Sequence, residues 1–382
     1  MSTDFHNKEF DDGTRIKLEI LREYLKQWLP VFLAGEKTYW KKIFIYDFFA
    51  GEGSDSIGNY GSPRIILEQL KNYCRNIIEK RIEVKVVFNE YKKTKVQKLK
   101  TQCDQQLFNC MSEEESGKYC PNKTKSNKCT FGLLIESQDF NDFFEQIFPQ
   151  MLRIKEAPRF MFLDQYGIRH ITEDVLHKLS QLERTDFIFF TSSSFARRFI
   201  ENEEFKKYLN LTRKDFSEDK PYHCHRVIFE YYKSLLRPQD NLFLAPFSIK
   251  KNSNIYGIIF GTHHTLGMEK FLNICWKINK MTGDANFDID DERINPNEPK
   301  LFEEFNIPSK IQLFENDLKE RILKGELNSN TEIYRYSLDS GFLPKHANNV
   351  IKELKSQGII QKTFKTVAQD VHKIASPSFI NQ

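Results

Sequence analysis

The segment DFFAGEG at residues 47–53 has the composition of a ligand-binding loop. Gly51 and Gly53 allow a tight turn and a close approach of the backbone to a ligand such as an adenosine cofactor. A pyrophosphate loop would continue as G-x-G-x-x-G, but here SDS follows the second glycine. Asp47, Glu52 and Asp55 make the loop and its continuation acidic, which disfavours phosphate and favours a cationic amino-acid group. The alternative is that the glycines only shape a strand-to-helix turn.

A regular alternation of strands and helices surrounds this loop. Apolar stretches that predict strands occur at residues 43–46, 84–90, 130–136, 159–167, 186–191 and 254–264. Helical periodicity lies between them, after an amphipathic N-terminal helix that we expect to end near Pro30. Such alternation predicts an α/β, Rossmann-like, doubly wound and mostly parallel sheet. A polar, lysine-rich insertion near residues 103–129 reads as a surface loop.

Length and composition limit the remaining possibilities. The 382 residues suggest two domains, which we place at residues 1–295 and 300–382. A net charge of +4 is too weak to establish nucleic-acid binding by itself, so any basic surface must be local. The seven cysteines and the absence of an export-type start predict reduced thiols and a cytoplasmic location.

An apolar strand that ends in D-x-F-A-G-x-G resembles the first motif of class I S-adenosylmethionine-dependent methyltransferases. The matching positions are Asp47, Phe49, Ala50, Gly51 and Gly53. The resemblance implies that they bind S-adenosylmethionine, that Glu90 holds the ribose hydroxyls, and that Asp139 approaches the adenine amine. The alternatives are a solvated strand end for Glu90 and a helix cap for Asp139.

The segment DQYG at residues 164–167 resembles the catalytic tetrad of methyltransferases that modify amines. The resemblance implies catalytic roles for Asp164, Gln165 and Tyr166, with an acid that orients the target amine and an aromatic ring that stacks on an extruded base. Gln165 stands where the tetrad usually has proline, and Tyr166 comes one position early.

Several separated motifs also resemble the three-Cys-motif partner family of bacterial proteins. They are F-D-D-x-T-x-x-K-x-x-I-L-x-x-Y-L at the start, DFFAGEG followed by GSP, the 164–167 turn, YGIIFGTHH and GDANFDID. Family members usually carry D-P-F-G at the turn. Membership implies a protein that accompanies a radical-enzyme-like protein with three cysteines.

The last 80 residues predict a winged-helix-like unit. A short helix around Tyr334, a turn at Gly341, a helix over 344–356 and a hairpin that starts at Gly358 fit this plan. Helical spacing places apolar residues of the second helix inward and leaves Lys345, Asn348, Asn349 and Lys352 exposed to contact nucleic acid. The alternative is a packing or dimerisation module. Arg197 and Arg198, beyond the fifth strand, are two more candidates for phosphate contact, with a solvated helix face as the alternative.

Metal sites are weaker candidates, and we predict none. The histidines of HCH at 223–225 are too close together for a structural zinc site, and the cysteines at 103, 110, 120 and 129 lack a C-x-x-C spacing. The aspartates of GDANFDID do not have the spacing of a calcium loop.

Two functions from different classes remain. The first is an S-adenosylmethionine-binding methyltransferase that acts on nucleic acid at an exocyclic base amine. The second is a non-catalytic or differently catalytic partner subunit of a bacterial complex, such as one in defence. A nuclease that gathers magnesium on Asp47, Glu90 and Asp164 comes third, because no lysine-bearing nuclease signature supports it.

Overall fold

A seven-stranded sheet with the order β3-β2-β1-β4-β5-β7-β6 forms the centre of the computed structural model, which describes residues 8–36, 39–108, 131–290, 309–367 and 371. The strands are β1 Lys42–Asp47, β2 Glu83–Asn89, β3 Leu133–Glu136, β4 Arg159–Leu163, β5 Thr185–Thr191, β6 Phe243–Lys251 and β7 Asn254–Thr262. Strands β1 to β5 run parallel, and β7 is antiparallel to both β5 and β6. The direction of strand succession reverses between β1 and β4, the position where open α/β sheets bind ligands.

Helices cover both faces of this sheet. Their bounds are α1 Asp12–Leu33, α2 Ser62–Lys71, α3 Cys74–Glu79, α4 Lys93–Phe108, α5 Phe140–Arg153, α6 Glu173–Ser180, α7 Ser193–Phe199, α8 Glu203–Lys206, α9 Cys224–Ser234, α10 Thr265–Ile278, α11 Lys310–Leu323, α12 Asn330–Asp339 and α13 Pro344–Ser356. In β1, Ile43 and Ile45 pack into the core beneath α1, whereas Phe44 and Tyr46 pack into the core beneath α5. Burial on both faces explains why these strands are continuous apolar runs. The predicted Rossmann-like α/β fold is therefore confirmed.

Two details of the predicted core were wrong. The expected six strands omitted β6, an edge strand in which Pro246 is tolerated because one side of the strand needs no ladder hydrogen bond. Helix α1 does not end near Pro30, which lies inside it; the helix continues to Leu33, buried in the core.

Helices α11 to α13 form a compact unit packed against α10. The Trp276 indole N–H donates to the Gly341 carbonyl at 2.9 Å, and the Tyr334 hydroxyl donates to a Glu269 carboxylate oxygen at 2.5 Å. The Lys310 ammonium lies 3.1 Å from the Asp284 carboxylate. The helix predicted over 344–356 has those bounds, but residues 358–367 contain no strand, so the described part of the chain lacks the predicted hairpin start.

No helix among the described segments is long and apolar enough to cross a membrane. The predicted insertion falls mostly on residues 109–130, outside the described residues, so its cysteines at 110, 120 and 129 cannot be placed; Cys103 is buried in α4.

Candidate cofactor and catalytic site

Three acidic residues converge at the carboxyl edge of the sheet. Asp47 is the last residue of β1, Glu90 follows β2 and Asp164 follows β4. Because β1 pairs with both neighbours in parallel register, all three lie at the same edge, at the switch point. The fold thus brings together the two segments that were predicted to carry the chemistry, DFFAGEG at residues 47–53 and DQYG at residues 164–167.

Asp47 is completely buried, and one of its two carboxylate oxygens lacks a hydrogen bond. Its Oδ1 accepts from the Phe49 amide at 3.2 Å, but its Oδ2 has no hydrogen-bond partner. Burial raises the pKa of its carboxyl from 3.8 to about 7; the Ser62 side chain and the Phe49 amide oppose the rise by hydrogen bonding, and the negative charges of Asp164 and Glu90 add to it. A buried carboxyl with an open oxygen is costly unless a cation or donor joins it.

The glycine loop is fastened to the end of β2. The Gly51 amide donates to the Glu90 carboxylate at 3.1 Å, and the Ala50 amide donates to the Asn89 carbonyl at 2.9 Å. Gly51 and Gly53 have φ values of 63° and 89°, in the region that side chains disfavour. A Cβ on Gly53 would also lie 3.2 Å from Leu99. Both glycines are therefore required by the backbone, whether or not a ligand binds.

The other acids of the loop already have partners. The Lys98 ammonium binds the Glu52 carboxylate at 2.9 Å. Asp55 accepts from the backbone amides of Phe10 and Asn59, and although burial opposes it, these hydrogen bonds lower the pKa of its carboxyl. Of the acids in this loop, Asp47 is thus the one available to a cationic ligand.

Asp164 forms an ion pair with Lys17 of α1, a residue that was not predicted as part of the site. The Lys17 side chain is only 9% exposed, and its ammonium lies 4.7 Å from the centroid of the Phe190 ring. Lysine on the buried stripe of an amphipathic helix is the sequence signal that could have identified it, because such a charge needs a partner.

Gln165 and Tyr166 have opposite environments. Gln165 is buried; its amide donates to the Phe190 carbonyl at 3.1 Å and accepts from the His170 and Ile171 amides. Its side chain therefore shapes the loop rather than facing a substrate. Tyr166 is 81% exposed and can present its ring outward.

His170 is a second residue that was not predicted. Its ring packs 5.2 Å from Phe49 and 5.4 Å from Phe140, and its Nδ1 is buried without a partner. Burial lowers the pKa of this imidazole, although Asp139 opposes the change, so the environment favours the neutral ring. Asp139 caps α5 by accepting a hydrogen bond from the Asn141 amide at 2.8 Å. This is the helix cap predicted from the sequence as the alternative to an adenine contact.

These residues fit S-adenosylmethionine. The open Asp47 oxygen suits a cationic ligand, and each Glu90 oxygen, although it accepts one backbone amide, has a second lone pair for a ribose hydroxyl. The partly exposed ring of Phe49 beside His170 provides a flat surface for an adenine, and the buried Phe140 supports both rings from the core.

The predicted nucleic-acid residues lie on two separate surfaces. Arg198 donates to the Asn254 side chain at 3.0 Å, and Arg197 is partly buried with its Nε unpartnered. On α13, Ala347, Val350, Ile351 and Leu354 are buried as predicted. Lys345, Asn349 and Lys352 are exposed, but Asn348 is half-buried, and the Asn349 amide already donates to Glu315 at 2.8 Å.

The residues considered for metal binding have structural contacts instead. Asp284 and Asp290 both bind the Arg226 guanidinium, at 2.9 and 2.6 Å. His225 is fully buried; its two ring nitrogens contact the Ser193 hydroxyl and the Ile258 carbonyl. The described residues contain no cluster of three or more potential metal ligands.

Comparison with known proteins identifies one domain. Residues 287–366 match the family described as GMT-like wHTH domain, which confirms the predicted winged-helix-like unit. No curated protein sequence matches the chain. The three-Cys-motif partner family therefore stays a prediction.

Several solved methyltransferases are distantly similar. Trm1 from Pyrococcus horikoshii, solved with S-adenosyl-L-methionine, has 10% identity over 66% of this chain and 56% of its own, with a TM-score of 0.39. A SAM-dependent methyltransferase from Agrobacterium tumefaciens has 7% identity over 66% and 63%, with a TM-score of 0.32. TYW2 from M. jannaschii in complex with AdoMet has 10% identity over 66% and 75%, with a TM-score of 0.28. Scores this low support no assignment, so the fold rests on the strand order of the chain itself.

Proposed function

We propose that this chain binds S-adenosylmethionine at residues 47–53 and Glu90 and transfers its methyl group to an exocyclic amine of a nucleic-acid base. The observation that carries the proposal is the buried Asp47 carboxyl at the switch point, whose open oxygen calls for a cationic ligand. The fold and the glycine loop support it, as does a winged-helix unit of a kind that grips nucleic acid.

The protein's own residues would orient the acceptor. S-adenosylmethionine, when bound, supplies an electrophilic methyl group. Asp164 would accept a hydrogen bond from the target amine and direct its lone pair, and Tyr166 would stack on the extruded base. Lys17 keeps one Asp164 oxygen occupied, which holds the carboxylate in a single orientation. Gln165 contributes to acceptor positioning indirectly, because its side-chain hydrogen bonds to the Phe190 carbonyl and the His170 amide hold the loop backbone in place.

Calorimetric titration of S-adenosylmethionine tests the cofactor site. Saturable binding is expected for the wild type and for Glu52→Gln, whose carboxylate is already paired with Lys98. Binding should be strongly reduced in Asp47→Asn, which keeps the shape but cannot become negative. Equal affinity in all three proteins would contradict the assignment of Asp47.

A second candidate function is a non-catalytic partner subunit, for example of a three-Cys-motif radical-enzyme-like protein. The observation that favours it is that Lys17 occupies Asp164 and that the Gln165 amide makes three hydrogen bonds to backbone groups, which hold it away from a substrate. Transfer of labelled methyl groups to oligonucleotides separates the two functions. The double variant Lys17→Met, Asp164→Leu removes the ion pair without leaving a buried charge, and it should bind cofactor but transfer no methyl group. A wild type that binds cofactor but never transfers would favour the partner subunit.

A further inference from the structure

The exposed aromatic side chains are concentrated at one edge of the sheet. Among the described residues, six large aromatic side chains are substantially exposed. They are Tyr39, Tyr91, Tyr166, Phe195, Phe199 and Tyr222. Only Tyr39, which precedes β1, lies at the amino edge. Exposed aromatic rings gathered along one edge indicate a contact surface rather than chance exposure.

The other five follow the carboxyl edge in spatial order. Tyr91 comes after β2 and Glu90, Tyr166 comes after β4 and Asp164, and Phe195 and Phe199 lie on α7, which begins directly after β5. Tyr222 lies at the far end, because the ammonium of Lys250, near the end of β6, is 4.4 Å from its ring. Strand β6 runs in the same direction as β5, since both are antiparallel to β7.

Cationic side chains accompany these rings. Lys92 and Lys93 follow Tyr91, and Arg169 follows Tyr166; all three are exposed. Arg198 lies between the two phenylalanines of α7. Acids of α8 lie nearby: Glu203 is 3.2 Å from Lys206, and Glu204 is 3.9 Å from Arg169 itself, an exposed ion pair that a phosphate can displace. The edge therefore offers flat rings beside positive charges.

We propose that a single strand of nucleic acid lies along this carboxyl edge, with its bases stacked on Tyr91, Tyr166 and the α7 rings and its phosphates on the neighbouring cations. From β2 to β6 there are five strand spacings, a span of about 24 Å, which accommodates a few nucleotides. Stacking on aromatic rings needs unpaired bases, so a duplex does not fit this surface. The inference rests on the proposed function and specifies its substrate: the strand passes over Asp164 with Tyr166 at its centre.

Fluorescence anisotropy tests the surface directly, without methyl transfer. The probes are a labelled 12-nucleotide RNA of mixed sequence, the DNA of the same sequence, and the duplex of each. Both single strands are expected to bind more tightly than either duplex. Tyr91→Ala and Tyr166→Ala should each weaken single-strand binding by about 5- to 150-fold. Tyr39→Ala, an equally exposed tyrosine at the opposite edge, is the matched control and should leave binding unchanged.

The outcomes distinguish this inference from the proposed function. Single-strand binding lost in the edge variants supports the surface even if the cofactor titration shows no binding. Equal or tighter binding of the duplex, unaffected by the edge variants, would overturn it and leave α13 as the nucleic-acid contact. Absence of binding to every probe would also overturn it. Ultraviolet cross-linking of a 5-iodouridine strand gives a second readout, because the cross-linked peptides should contain Tyr91 or Tyr166.

Discussion

The protonation of Asp47 makes the affinity for S-adenosylmethionine depend on pH. In the folded chain this carboxyl has a pKa of about 7, and a bound cation favours its ionised form. About one tenth of the carboxyls are ionised at pH 6 and about nine tenths at pH 8, so the affinity should rise about tenfold between these values.

Calorimetry in two buffers with different ionisation enthalpies measures both the affinity and the protons released. At pH 6, binding should release about 0.9 proton from Asp47, and at pH 8 about 0.1. The Asp47→Asn variant should bind weakly and with no dependence on pH. The neutral analogue 5′-methylthioadenosine, which lacks the amino-acid group, should bind the wild type equally at both pH values.

The reasoning is refuted if the wild type binds S-adenosylmethionine with the same affinity at pH 6 and pH 8 and releases no proton. Such a result would mean that the cationic group lies away from Asp47, or that Asp47 stays protonated in the complex. Glu90 would then be the remaining acid of the loop region with the capacity for a further ligand contact, through the second lone pairs of its oxygens.

Three further effects follow from buried groups. The pKa of Asp47 is higher in the folded than in the unfolded chain, so the free energy of unfolding of the wild type should fall as pH rises from about 4 to 7. Asp47→Asn lacks this titration, so its stability relative to the wild type should increase over the same range, by at most about 4 kcal/mol. Urea unfolding at each pH measures the difference. Lys17→Met should lower the free energy of unfolding by about 1–3 kcal/mol, because Asp164 loses its partner, and Asp164→Leu in the same chain should restore part of the loss; no recovery would contradict a direct coupling. Gly257→Ala would place its Cβ 2.1 Å from the buried His225 ring, so thermal unfolding should show a loss of about 1–3 kcal/mol; an unchanged midpoint would mean that His225 can move.

Most of the fold could be predicted because strands and helix ends depend on residues that are close together in the sequence. The strands before Asp47 and Asp164 are apolar runs that only a sheet covered on both faces buries completely, and Pro344 at the start of α13 marks a helix N-terminus. Strand β6 was overlooked because Pro246 interrupts its pattern, and only its position at the sheet edge makes the proline acceptable.

The missing parts of the candidate site depend on contacts distant in sequence. Lys17 and Asp164 are 147 positions apart, and nothing near either residue indicates the other. His170 lies beside the loop because its ring packs against Phe49 and Phe140, which come from different elements of the fold. The acids of the glycine loop look equivalent in sequence, yet Lys98 engages Glu52 and leaves Asp47 open. Charge pairing across the fold, rather than composition, decides which acid can bind a ligand.

The N-terminal segment connects both halves of the candidate site. The Phe10 amide donates to Asp55 of the glycine loop, and Lys17, less than two helical turns into α1, binds Asp164 of the acidic loop. The two loops themselves follow different strands, and the segment spans the switch point between them. A displacement of α1 would therefore disturb the cofactor loop and the acceptor loop together. Consequently, a change in this segment should alter cofactor affinity and acceptor positioning jointly, although the segment precedes the Rossmann-like sheet in sequence.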